Sequence, residues 1–174
     1  MPRQASSKTA DTKMKTVIKE ADLNNKIHQN AIKTLINQYV LDLQGYNKQL
    51  ESSVLDELIP GLKRMPTSMI FLAQVKSDFV GMAVCFWGFS TFYARPIINI
   101  HDFTVRKDFR NNGIGTALIQ AVETKAKTLE CCKLTLEVQE TNVIAMNLYQ
   151  KTGFMKSIGN DSDERVFFLS KHLS

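Results

Sequence analysis

A chain of 174 residues with 44% hydrophobic and 22% charged residues suits one domain with a sizeable core and ordinary surface polarity. Its net charge of +5, from 22 basic and 17 acidic residues, favours an anionic ligand, but no Lys/Arg block interleaved with aromatics and no zinc-finger or RRM pattern points to nucleic acid. The longest apolar run, Phe79 to Phe89, has 11 residues and falls short of the ~20 that a membrane-spanning helix needs, so no membrane partner is expected.

Three cysteines, Cys85, Cys131 and Cys132, form no CxxC pair, and adjacent Cys131 and Cys132 are poor partners for each other. A reducing, cytoplasmic setting is therefore expected, and "MPRQASSKTADTKMK" lacks the apolar core of a secretory signal. Three scattered histidines have no metal-ligand spacing, so no metal is expected.

In chain order, residues 1–14 are polar and aperiodic and read as a flexible tail, leaving 15–174 as a single domain. Thr16 to Glu20 reads as a short strand. Asp22 or Asn24 is placed to cap a helix whose apolar positions are Ile27, Ala31, Leu35, Tyr39 and Leu43. A second helix is predicted over Ser52 to Leu62, with Val54, Leu55, Leu58 and Ile59 on one side and Pro60-Gly61 loosening its end.

From Met69 the pattern changes to strands: Met69 to Val75, a Lys-Ser-Asp turn, then "FVGMAVCFWGF", which together make a hairpin signal. Pro96 to Val105 is another strand. "GIGTALIQAVETKAK" is an amphipathic helix with Ile114, Leu118, Ile119, Val122, Ala126 and Leu129 on one face. Lys133 to Val138 alternates as a strand, with Leu134, Leu136 and Val138 on one face and Thr135 and Glu137 on the other. Asn142 to Lys151 is a short helix closed by Gly153, and "FMKSI" and "RVFFLS" form a last strand pair around "GNDSDE". The order is strand, two helices, three strands, helix, strand, helix, two strands, with one strand–helix–strand crossover joining parallel neighbours.

"RNNGIG", Arg110 to Gly115, sits between a strand and a helix. A helix N-terminus presents free N–H groups, and glycine lets a bulky anion approach them. A dinucleotide site would add a third small residue where Leu118 stands and would turn directly off the strand, whereas Arg106 to Asn112 intervene. A turn that merely connects strand to helix is the plain alternative. Arg106, Lys107 and Arg110 add cationic side chains beside the turn, as a polyanionic cofactor would want.

"VRKDFRNNGIGTAL" closely resembles the cofactor motif R/Q-x-x-G-x-G/A of the GNAT (Gcn5-related) N-acetyltransferase superfamily. "LEVQETNVIAMNLYQKTGF" resembles that family's second motif, N-x-x-A-x-x-L-Y-x-x-x-G-F, in the expected order over Asp102 to Phe154. The resemblance, covering roughly residues 16 to 170, implies an α/β (mixed α+β) GNAT fold. Its centre is a mixed, mostly antiparallel twisted sheet flanked by about four helices. It also implies an N-acetyltransferase that uses acetyl-CoA as co-substrate with no metal, acts on a small-molecule primary amine in a ternary complex, and forms a homodimer. A protein Lys or N-terminal acetyltransferase and a non-catalytic acyl-CoA-binding module are the alternatives.

On that resemblance the strand residues Phe103, Thr104 and Val105 hold the acetyl–pantetheine arm, where this strand and the Lys133 to Val138 strand splay apart. Backbone N–H groups of Asn111, Asn112, Gly113, Ile114, Gly115 and Thr116 cradle the pyrophosphate, with Arg110 nearby. Asn142 bonds the pantetheine chain, or caps its helix, or does both. Tyr149 falls where the family places a proton donor for the leaving thiolate; a packing role over Phe154 is the alternative.

Candidate bases for the amine are His101, Asp102 and Glu137. Strict alternation puts His101 and Phe103 on one strand face and Asp102 and Thr104 on the other. "FSTFYARPIINIHDFTV" is similar to a polyamine-acetylating subgroup whose L-E-D stretch would place a glutamate at His101 and an aspartate at Asp102, and the loss of that glutamate counts against a polyamine acceptor. Phe92 and Tyr93 are expected to line the acceptor pocket, with Glu137.

Overall fold

The computed structural model describes residues 15–42, 48–156 and 166–173. The expected tail at 1–14 and the turn "GNDSDE" lie outside these residues. The elements follow the expected order: β1 (Thr16–Glu20), α1 (Lys26–Asp42), α2 (Ser52–Arg64), β2 (Ser68–Val75), β3 (Asp78–Ser90), β4 (Arg95–Val105), α3 (Ile114–Thr128), β5 (Lys133–Gln139), α4 (Val143–Lys151), β6 (Met155–Lys156) and β7 (Val166–His172). A single 3-10 turn, Lys107–Phe109, lies between β4 and α3. None of these helices is long and apolar enough to cross a membrane.

The strands form one seven-stranded sheet in the order β1-β2-β3-β4-β5-β7-β6. Every neighbouring pair is antiparallel except β4 and β5, which are joined through α3 and run parallel. Both faces of the sheet are covered. Phe71, Ala73, Ala83, Cys85, Ile98 and Ile100 turn to α3, where Leu118, Ile119 and Val122 are fully buried. Ile70, Leu72, Met82 and Val84 turn the other way, onto Ile32 and Leu35 of α1 and Ile59 and Leu62 of α2. Burial on both faces explains why "FVGMAVCFWGF" is a continuous apolar run and yet one strand.

Local chemistry departs from expectation at the first two helices. Asn25, and not Asp22 or Asn24, starts α1: its carbonyl accepts from the Gln29 N–H and its Oδ1 from the Ile27 N–H at 2.8 Å. Asp22 instead closes the preceding turn by accepting from the Asn24 N–H. Ile27 and Val54 face outward, at 67% and 47% exposure, because the helices dock through Ala31, Ile32 and Leu35 and through Ile59 and Leu62. Helix α2 also runs through Pro60 and Gly61 to Arg64. The turn beyond it is held by the Ser68 hydroxyl donating to the Leu62 carbonyl.

Gly81 of β3 lies opposite Val105 of β4, beneath α3. A Cβ there would stand 3.1 Å from the Thr104 carbonyl oxygen and 3.3 Å from side-chain carbons of Leu118 and Val105. Gly81→Val is therefore expected to destabilise the fold by about 1–3 kcal/mol and to shift the end of β4; urea unfolding monitored by circular dichroism measures the loss.

Candidate functional site

The site begins with an irregularity in β4. Pairing of β3 with β4 runs Val84↔Asp102 and then Cys85↔Ile100, so His101 is an extra residue, a β-bulge. The core contacts show the same step: Ile98, Ile100, Phe103 and Val105 all pack on the α3 face, with two residues instead of one between Ile100 and Phe103. This overturns the expectation that His101 shares a face with Phe103. The His101 ring stands edge-on to Phe86, which packs with the α1–α2 cluster. Asp102, opposite Val84, lies on that same face, and the Phe103 ring meets Tyr149 on the other.

At the bulge the sheet opens. Strand β5 pairs with β4 from Ile97↔Lys133 to Ile100↔Leu136 and no further, while β4 continues to Val105 along β3 and β5 continues to Gln139 along β7. The expected splay is therefore present, and it starts at His101 and Glu137.

Alternate residues of an antiparallel strand turn their N–H and C=O groups to the partner. The Arg106 N–H bonds the Val80 carbonyl, which sets the phase. Asp102 and Thr104 then bond toward β3, while Phe103 and Val105 present their backbone groups to the opening. The Val105 carbonyl is taken by Arg110 Nε at 2.9 Å.

The glycine turn stands at the mouth of this opening. Asn111 and Gly113 have φ of 62° and 78°, both in the left-handed region. Gly113 is the N-cap of α3 with no side-chain cap, so the first-turn N–H groups of Ile114, Gly115 and Thr116 are left for another partner. A Cβ on Gly113 would meet nothing within 4 Å: the space above the turn is open. Gly115 serves packing, since a Cβ there would stand 2.8 Å from Leu148 Cδ2 of α4. Asn112 braces the turn by donating from Nδ2 to the Arg110 and Phe109 carbonyls.

Arg110 is committed within the protein. Besides the Val105 carbonyl, its guanidinium bonds Asp42 Oδ2 at 2.8 Å, and Lys107 Nζ lies 2.7 Å from Asp42 Oδ1. Asp42 ends α1, where a negative charge opposes the helix dipole, and the two cations offset it. A cleft of about 280 Å³ beside this clasp is lined by Leu35, Gln38, Leu41 and Asp42 of α1 and by Thr104 and Arg106.

Tyr149, on α4, is 5% exposed, with its ring against Phe103 and Phe154. Burial, and then the neighbouring Tyr39, push its hydroxyl pKa up, so it stays protonated at physiological pH. Asn142 is the N-cap of α4, its Oδ1 accepting from the Ala145 N–H at 3.1 Å; its side-chain N–H groups are not used by that bond. Glu137 is exposed and makes no ion pair among the described residues. It is the first β5 residue past the last β4 pair, on the face away from Leu134, Leu136 and Val138, hence on the side of Asp102.

Phe92 and Tyr93 are not brought to the opening. They sit in the turn before β4, whose first residue, Arg95, is roughly 20 Å from His101 at about 3.3 Å per strand residue, and Tyr93 meets His172 and Lys133 there. Phe92 is 97% exposed. The loop does run into the active strand, but from its closed end.

Asp102 is half-buried, with no hydrogen bond or ion pair among the described residues. Burial pushes its carboxyl above the ordinary range, and His101 partly offsets this. The folded protein then holds a proton there more tightly than the unfolded chain. Stability accordingly falls as pH rises from the ordinary aspartate value near ~3.9 through the raised folded value, and is flat above it. Asp102→Asn is expected to abolish that fall and raise Tm at pH 7 by about 2 °C, as thermal melts from pH 4 to 8 would record.

Comparisons with known proteins bear on the family and the fold. The model of the acetyltransferase (GNAT) family matches residues 35–154. An N-alpha-acetyltransferase of Sulfurisphaera tokodaii is 35% identical over 91 residues, covering 48% of this chain and 54% of that protein. An aminoglycoside N(6')-acetyltransferase type 1 of Acinetobacter genomosp. 13 is 31% identical over 78 residues, covering 45% of this chain and 49% of that protein. The chain thus spans about half the length of these two curated relatives. In fold it matches a chain of the NatC complex bound to Gag peptide and CoA with a TM-score of 0.69 at 23% identity, over 92% of this chain and 100% of that one.

Proposed function

We propose, because the chain belongs to the GNAT acetyltransferase family, that it transfers the acetyl group of acetyl-CoA to a primary amine by direct attack within a ternary complex. The observation that carries this reading is the opening between β4 and β5. It starts at the His101 bulge, exposes the backbone of Phe103 and Val105, and has the bare N-terminus of α3 at its mouth. These groups suit a long polar arm ending in phosphates: unpaired N–H groups line the gap, and open space lies over Gly113.

The co-substrate supplies an activated acyl thioester and a thiolate leaving group. Around it, Phe103 and Val105 orient the arm by backbone hydrogen bonds, with Thr104 between them bonding toward β3. Asn111 to Thr116 hold the phosphates, and Asn142 offers its free side-chain N–H groups. Asp102 or His101 takes a proton from the bound ammonium, directly or through water, leaving a neutral nitrogen lone pair for attack. Tyr149 gives a proton to the departing sulfur, and the second proton that the nitrogen loses as the amide forms restores Tyr149, directly or through water, so transfer ends with amide, thiol and a neutral tyrosine. A raised Asp102 pKa brings that carboxylate closer to a useful base.

A small-molecule amine is the leading acceptor, supported by the aminoglycoside-acetylating relative and by the unpaired carboxylates of Asp102 and Glu137 beside the gap. An N-terminal amine of a protein is the second reading, favoured by the N-alpha-acetyltransferase relative. The homodimer and the cytoplasmic setting belong to the same proposal.

Release of CoA thiol from acetyl-CoA is to be measured against a panel of amines, amino acids and short peptides. Tyr149→Phe, which keeps the ring packing, is expected to lower kcat by about 10²-fold or more with the KM for acetyl-CoA little changed. Turnover confined to peptides with free N-termini would assign the second acceptor class, and a Tyr149→Phe enzyme as fast as wild type would remove Tyr149 from the chemistry.

A further inference from the structure

Two tyrosines come from helices that cover opposite faces of the sheet. Tyr149 packs in the α3 cluster, whereas Tyr39 belongs to α1, which covers the other face. An intact sheet would separate them. The Tyr39 side lies one helical turn beyond Leu35, which docks on β2 and β3, and beside Gln38, which lines the cleft with Thr104. This places Tyr39 above the stretch of β4 that carries Asp102 and Thr104, where β5 has turned away.

Tyr39 is half-buried, and no group among the described residues bonds its hydroxyl. The same holds for the Asp102 carboxylate and for the buried Tyr149 hydroxyl. Three unpaired polar groups around one gap, all partly or fully withdrawn from water, are costly unless a ligand completes them. Their electrostatic coupling is consistent with this placement: Asp102 raises the pKa of Tyr39, after burial, and Tyr39 raises that of Tyr149.

Chemically, the α1 side of the gap combines the Asp102 carboxylate, the exposed Glu137 carboxylate and a phenol ring. A carboxylate with an aromatic face beside it suits an alkylammonium, by charge and by cation–π attraction. Of the neighbouring cations, Lys107 and Arg110 are turned to Asp42 at the glycine turn and Arg106 lies over the Phe109 ring, while His101 partly offsets the Asp102 charge.

We infer that Tyr39 is an acceptor-binding residue, holding a cationic primary amine against Asp102 on the α1 side of the β4–β5 opening while the acyl donor enters past Tyr149. The inference rests on the acetyl-transfer reading for its role in turnover, but the binding itself does not require turnover. Tyr39 thereby selects for a charged amine and sets its approach; it supplies no proton of its own.

The test is calorimetric titration of 1,4-diaminobutane into CoA-loaded protein, together with CoA titration of the same samples. Wild type is compared with Tyr39→Phe and Tyr39→Ala, after melts confirm that each variant is folded. Tyr39→Ala is expected to raise the Kd for the diamine at least tenfold, Tyr39→Phe to raise it severalfold, and both to leave the Kd for CoA within about twofold.

Diamine affinity unchanged in Tyr39→Ala would overturn the inference, as would an equal loss of CoA affinity in both variants, which marks a general disturbance. A wild type that binds CoA but not the diamine overturns it too. Binding of both ligands with no acetyl transfer would instead defeat the acetyl-transfer reading and leave the role of Tyr39 in binding standing.

Discussion

The parting of β4 from β5 at His101 is the constraint on which the rest of the molecule depends. A parallel pair deep in a sheet normally satisfies its backbone along its whole length, and unpaired buried N–H and C=O groups cost free energy. Here the extra residue in β4 stands where the ladder between β4 and β5 ends. Strands β3 and β7 hold the two diverging edges from outside, so the gap is fixed by the scaffold and does not depend on loop packing.

The bulge does two further things. It changes the parity of β4, sending Asp102 to the α1 face while Phe103 stays against Tyr149. It also leaves Asp102 half-buried without a partner, a stability cost that a purely structural strand would not carry. Stability has been given up locally, and the two-sided core of the sheet is large enough to absorb it. The Asp42 clasp plays the complementary part. It ties the end of α1 to the glycine turn and, through Arg110, to the carbonyl of Val105, so the donor end and the acceptor-side helix are joined at one point.

Much of this could be read from residue patterns, because periodicity and turn chemistry are local. The element order, the amphipathic face of α3 and the Asn142 cap follow from spacing alone. The splay and the roles around it came with the motif resemblance and not with periodicity. What escaped was non-local. Nothing in "NIHDFTV" announces a bulge, since a bulge is a relation between β4 and β3, so strict alternation put His101 on the wrong face. Phe92 and Tyr93 are close to His101 in sequence but at the far end of an 11-residue strand. Tyr39 looked like one more core position of an amphipathic helix, although a hydroxyl among the apolar positions at Leu35 and Ile36 is a signal that could have been weighed. Asp42 had none, because its partners lie 65 or more residues away.

Backbone amide hydrogen exchange with and without acetyl-CoA tests the central claim most directly. If the arm of the donor lies in the β4–β5 opening, amides of Phe103 and Val105 and those of Ile114 to Thr116 gain protection together on binding, while the amides of Asp102 and Thr104, already bonded to β3, change little. Binding of acetyl-CoA that protects neither segment, or that protects the turn at α3 but not Phe103 and Val105, would contradict it.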